Sequence, residues 1–211
     1  MKKLCILFLA LPIMAVAQGE KRFGIHAGAT YSSLRGNEWI EMYEPALNYM
    51  AGVSFEYPLS EKLSLTGSLN FERRTSRQEY KYYISTDPME TPQEHEAKIR
   101  YTLEYLTLPL NVKYYFDPKK KFYLTGGPYA GYFLNDILKN HGEEAESMAD
   151  YKKLDFGVDL GLGTVIPVKA NYLSLEIRYN WGLAGINDYE SQGGSVKTSS
   201  LNLIVGWQFE L

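Results

Sequence analysis

Cysteine is almost absent from this chain. Cys5 is the only one in 211 residues, so no internal disulfide can form and no thiolate cluster can hold a metal. Long apolar runs are missing as well. The one continuous run, Leu4 to Val16, is shorter than the ~20 residues a membrane-spanning helix needs. It follows the basic start Met1-Lys2-Lys3 and ends in Ala15-Val16-Ala17, a small-x-small pattern before Gln18. These features mark residues 1–17 as a secretory signal, with cleavage at Ala15, Ala17 and Gln18. Cys5 sits at the start of the run with no processing site before it, which excludes a lipoprotein anchor. A basic excess is missing too: 22 basic residues, less Lys2 and Lys3, face 25 acidic ones, a net charge of about −5. That balance leaves no electrostatic footprint for nucleic acid. Helical periodicity and low-complexity linkers are also absent, so residues 18–211 read as one domain.

What is abundant is alternation. From Ser200 to Leu211, Leu201, Leu203, Val205, Trp207, Phe209 and Leu211 share one face, opposite Ser200, Asn202, Ile204, Gly206, Gln208 and Glu210. A period of two held over twelve residues is a long strand. Seven further segments alternate in the same way: 23–31, 46–57, 63–74, 99–116, 122–134, 154–166 and 172–181. In the fourth the apolar set changes parity, from Ile99, Tyr101, Leu103 and Tyr105 to Leu106, Leu108, Leu110, Val112, Tyr114 and Phe116. A β-bulge near Tyr105 would exchange the faces and explain the change. In the fifth, Gly126-Gly127-Pro128 reads as a bend in the strand.

The links alternate strictly between short turns, at 58–62, 117–121 and 167–171, and long polar stretches, among them 75–98 and 135–152. With no helix able to span, a chain in lipid must satisfy its backbone by closing a barrel. The expected fold is therefore all-β: an eight-stranded antiparallel up-and-down transmembrane β-barrel, with tight turns at the periplasmic rim and long loops outside. The 18 Tyr and 3 Trp suit the aromatic girdles of such a barrel. A soluble lipocalin-like ligand binder shares the meander but requires the larger apolar face to line the interior.

In the membrane arrangement the inward positions carry both signs of charge: Glu56, Glu72, Arg74, Lys113, Asp155, Asp159, Glu176 and Arg178. If Val168-Lys169 is the two-residue turn, Asp159 faces Arg178 and Gly161 faces Glu176. The expected lumen charge network is then Arg178 with Asp159 and Glu176. His26 points inward, while His95 and His141 lie in loops without a partner at a metal-ligand spacing. Glu143, Glu144, Glu146 and Asp150 read as a solvated acidic loop, and Gly161-x-Gly163 lies within a strand rather than before a helix. No catalytic, cofactor or metal site is expected.

Short motifs carry a family resemblance. Gly206, Phe209 and the terminal Leu211 resemble the C-terminal signal that the barrel-insertion machinery reads, departing from it at Ile204 and in ending on Leu rather than Phe. The stretches 105–116 (YLTLPLNVKYYF), 126–129 (GGPY), 155–157 (DFG) and 176–183 (EIRYNWGL), with the Ala17-Gln18 junction, resemble the small outer-membrane β-barrel proteins of Bacteroidetes, the PorT-like group. That resemblance implies residence in outer-membrane lipid of a Gram-negative bacterium. It implies no single biochemical activity. With no catalytic constellation among the residues, the expected role is non-enzymatic, structural or interaction, through a protein partner at the extracellular loops, and the PorT-like resemblance suggests service as a secretion accessory. A small-solute channel is the alternative, disfavoured because eight strands leave an interior that side chains fill.

Overall fold

The computed structural model describes residues 20–36, 42–84, 93–140, 143–145, 151–187 and 194–211. The expected signal segment, with Ala15, Ala17 and Gln18, lies outside them, as do His141, Glu146 and Asp150. The chain forms β1 (Arg22–Arg35), β2 (Glu44–Pro58), β3 (Leu63–Ile84), β4 (Gln93–Tyr115), β5 (Phe122–Asn140), the three-residue β6 (Glu143–Ala145), β7 (Leu154–Val168), β8 (Asn171–Gly182) and β9 (Lys197–Glu210). Each strand pairs antiparallel with its neighbours, β1 pairs with β9, and the sheet closes into a ring of eight with β6 appended to the outer end of β5.

Closure has a definite stagger. In one direction the register runs from His26 through Gly52, Asn70, Thr107 and Gly131 to Asp155. In the other it runs through Gly206 and Ser174 to Val165. The two routes meet β7 ten residues apart, and a shear of that size on eight strands tilts them by roughly 40°. Phe23 and Tyr31, eight residues apart on β1, are therefore about 27 Å apart along the strand and about 20 Å along the barrel axis. That matches an apolar band of about 25 Å.

The period of two sorts the side chains. Ile25, Val53, Leu69, Leu110, Leu160, Leu162, Ile177 and Leu203 are exposed on the outer wall, while Asn70, Glu72, Asn111, Asp155 and Asn202 are buried inside. Exposed aromatics ring the wall at two levels: Phe23, Phe116, Phe122 and Phe209 near the short turns, and Tyr31, Tyr49, Tyr132, Tyr179 and Trp181 towards the other rim. A lipocalin-like interior would need the reverse polarity.

Three expectations need correction. The first is the face exchange on β4. Leu103 and Tyr105 are buried in step with Thr107, Asn111 and Lys113, so one parity points inward along the strand. The register shift at Glu104/Tyr105 skips Leu134, which places the extra residue on β5. The apolar set changes parity because the interior itself turns apolar near the outer mouth, where Leu103, Tyr105, Phe133, Ile186 and Val196 cluster.

The second concerns strand length. Much of 75–98 and 135–152 is strand: β3–β4 pairing continues to Ile84↔Gln93, and β5 runs unbroken through Gly126-Gly127-Pro128 to Asn140. Beyond the membrane both faces are wet, so hydropathy stops alternating although backbone pairing continues. Cross-strand pairs support the extension, Arg73 with Glu104 at 2.7 Å and Lys81 with Glu94 at 2.5 Å. The third is the β7–β8 turn, which is Lys169-Ala170, with Lys169 at φ 56°. The register moves by two, so that Gly161 faces Arg178 and Asp159 faces Asn180.

Candidate functional site: a charged lumen closed towards the outer mouth

Inward parity brings ionisable side chains from six strands into one narrow space. Arg74 on β3 is 2% exposed. Its Nη1 donates to Asp155 Oδ2 on β7 and to Thr198 Oγ1 on β9, both at 2.7 Å, and its Nη2 donates to Glu72 Oε2 at 2.9 Å. Ser200 Oγ donates to the other Glu72 oxygen at 3.1 Å, and the hydroxyls of Thr198 and Tyr129 donate to Asp155. The rings of Tyr105 and Tyr129 flank the guanidinium at 5.0 and 5.4 Å. The planar fork of arginine suits two carboxylates held on different strands, and charge-assisted bonds of this kind are the strong ones.

Above this knot the apolar cluster closes the mouth. Ile186, fully buried, follows β8 and folds back inward; its N–H donates to the Val196 carbonyl at 2.8 Å and its own carbonyl accepts from Lys152 N–H. Tyr151 packs on Phe133 with ring centroids 5.3 Å apart.

Below the knot, Arg178 Nε donates to Glu176 Oε1 at 2.6 Å, and Tyr123 donates to Glu176 Oε2 at 2.9 Å. Asp159 accepts from Asn111 Nδ2 at 2.7 Å. Arg178 and Glu176 are thus in contact, while Asp159 bonds across to β4. His26 Nε2 lies 2.7 Å from Asn70 Oδ1, and because that oxygen can only accept, the imidazole donates. Near the short turns, Lys113 donates to Glu56 at 2.8 Å and sits 4.0 Å from the Tyr123 ring, while Tyr115 donates to the second Glu56 oxygen.

Among the described residues a small cavity remains below the knot. A cavity lined by His26, Glu56, Lys113, Glu176, Arg178 and Gln208 leaves about 50 Å³ for the centres of water molecules. That is room for a few waters, since one needs roughly 10–15 Å³. Asp159 Oδ2, Asn111 Oδ1, Asn180 Oδ1 and Asn202 Oδ1 are buried with no donor among the described residues, and of these Asn111 lines the cavity.

Gly206 faces inward, whereas Phe209 and Leu211 are exposed on the outer wall at the end of β9. The polar partners Thr198, Ser200 and Tyr129 follow the inward parity and could have been found from it. Ile186, Val196 and Tyr151 could not, because they lie outside the periodic segments. Among the described residues no group of three His, Cys, Asp or Glu side chains is placed to hold a metal.

The sequence model of the family described as "Outer membrane protein beta-barrel domain" matches residues 16–188. Solved structures with a similar course include the outer membrane protein OprG of Pseudomonas aeruginosa, at 12% identity and TM-score 0.49, covering 93% of this chain and 99% of that one. AlkL, an outer membrane protein, gives 15% identity, TM-score 0.45 and 93% coverage of each chain. The Ail protein of Yersinia pestis gives 13% and 0.44, covering 90% of this chain and 100% of that one. No curated protein sequence matches the chain significantly.

Proposed function

The chain belongs to the outer membrane protein β-barrel domain family and sits in the outer membrane of a Gram-negative cell, and from that premise we propose that it is a non-enzymatic barrel acting through its extracellular face rather than through its lumen. The observation that carries this reading is the closed interior. Among the described residues the Arg74 knot and the apolar cluster above it fill the outer end of the lumen, and the cavity below has room for only a few waters. What projects instead is the β3–β4 hairpin, which continues for seven residue pairs past Arg77↔Arg100, about 24 Å of ladder. It offers exposed Tyr80, Tyr82 and Tyr83 to a protein partner.

In this reading residues 1–17 are a signal removed before Gln18, and the end of β9, with Gly206, Phe209 and Leu211, is what the insertion machinery recognises. The resemblance to PorT-like barrels of Bacteroidetes makes a secretion complex the partner to test first. The Arg178–Glu176 pair and Asp159 serve to tie the wall together. Planar-bilayer recording tests the reading: the purified barrel should give no discrete conductance steps. Stable single-channel openings would replace this reading with the small-solute channel.

A further inference from the structure

One row of residues crosses the outer end of the sheet in the order Glu44, Arg77, Arg100, Lys139, Glu144, each the direct cross-strand partner of the next. Cross-strand partners share a face. Three cations thus stand side by side on β3, β4 and β5, an arrangement that destabilises a sheet unless something neutralises it. The ends of the row are neutralised internally, Arg77 by Glu44 at 2.9 Å and Lys139 by Glu144 at 3.8 Å. Arg100, exposed at the centre, has no ion pair among the described residues.

The row borders a pocket of about 420 Å³ on the outer wall. One side is Tyr31, Pro45 and Leu47, where Tyr31 is 49% and Leu47 63% exposed. The other is Arg77, Lys98 and Arg100, with Glu79 also lining it. Lys98 is 3.9 Å from Glu96. An apolar floor continuous with the lipid-facing wall and a basic side just beyond it fit an amphipathic anion.

We propose that this pocket binds the phosphate-bearing head group of an outer-leaflet lipid, with Arg100 as the principal contact, Arg77 and Lys98 beside it, and an acyl chain against Leu47 and Tyr31. The inference rests on the outer-membrane seating and is independent of any partner at the hairpin. A guanidinium matches phosphate through two parallel N–H bonds, and a lysine offers only a point charge.

The test uses the mature chain refolded in phosphatidylcholine nanodiscs, with folding checked by the heat-dependent shift in gel mobility. Lipid A carrying both phosphates is titrated in, and retained lipid is counted by native mass spectrometry. The expected result is one retained lipid A, roughly tenfold or more weaker retention by Arg100→Gln, since hydrogen bonds to charged groups are the stronger class, and partial recovery in Arg100→Lys. Fully dephosphorylated lipid A should bind the parent no better than phosphorylated lipid binds Arg100→Gln, and Lys119→Gln in the opposite turn should change nothing. Equal retention of the two lipid forms, or an Arg100→Gln variant that binds like the parent, would overturn the proposal. Displacement by about 10 mM inorganic phosphate would overturn the lipid as the source of the anion.

Discussion

Replacing Arg74 with methionine tests the lumen most directly. The substitution keeps an unbranched side chain of similar length but removes the one cation that joins Glu72 to Asp155, whose side chains are 1% and 0% exposed. Two buried carboxylates would then lack their counter-charge, each keeping only hydroxyl or amide donors such as Ser200 and Thr198. Breaking a buried pair by removing one partner costs about 3–5 kcal/mol, mostly from the charge left unpaired. For a chain of this size each kcal/mol lowers the melting temperature by about 2–4 °C, so a loss of roughly 6–20 °C is expected. The readout is the temperature at which the compact band converts to the unfolded one on a gel, with urea unfolding in lipid as a second measure.

Adding Glu72→Gln and Asp155→Asn to Arg74→Met should recover much of the loss, because the penalty lies in the stranded charges. Arg178→Ala should cost less, since Arg178 is 11% exposed and borders the lumenal cavity, where water can replace it. If Arg74→Met melted within about 1 °C of the parent, the lumen would be well hydrated and the knot would not hold the wall together.

Three more expectations follow from particular residues. A Cβ on Gly127 would lie against the Leu110 carbonyl oxygen and Asn111, whereas one on Gly67 would meet only Leu110 Cδ2 at 3.4 Å; Gly127→Ala should therefore lower the gel-shift temperature and Gly67→Ala should leave it nearly unchanged. Asp117 accepts backbone N–H bonds from Lys119, Lys121 and Phe122, which hold its carboxyl below the usual range. Its contribution is therefore present above the ordinary aspartate pKa of about 4 and lost as pH falls through the depressed value. Hydrogen exchange should show the Lys121 and Phe122 amides protected at pH 6 and released by Asp117→Ala at the same pH. An epitope inserted within residues 85–92 should bind antibody on intact cells, whereas one at Lys119–Lys121 should bind only after the outer membrane is opened; the opposite pattern would invert the orientation.

The membrane-spanning part of the wall was legible in the sequence because lipid outside and a polar lumen inside impose opposite demands on alternate residues. Eight segments, their order and the inward placement of Glu72, Arg74, Asp155 and Glu176 all follow from that one constraint. It lapses wherever the two sides of a strand meet the same medium. Tyr80 to Ile84 and Gln93 to Lys98 therefore looked like loop, although backbone hydrogen bonds and cross-strand ion pairs keep them in register. At the outer mouth the interior itself turns apolar, and Leu103 and Tyr105 imitated a face exchange that the backbone does not make.

Which charge meets which was decided only by closure. Neighbours in the lumen come from strands far apart in the chain, such as Arg74 with Asp155 and Thr198, and their heights depend on a stagger summed over the whole ring. Displacing the turn by one residue, from Val168-Lys169 to Lys169-Ala170, moves the register by two and is enough to set Gly161 rather than Asp159 opposite Arg178. Alternation along one strand says that a side chain points inward, but its partner is set by every register in the ring, and no single segment of sequence contains that sum.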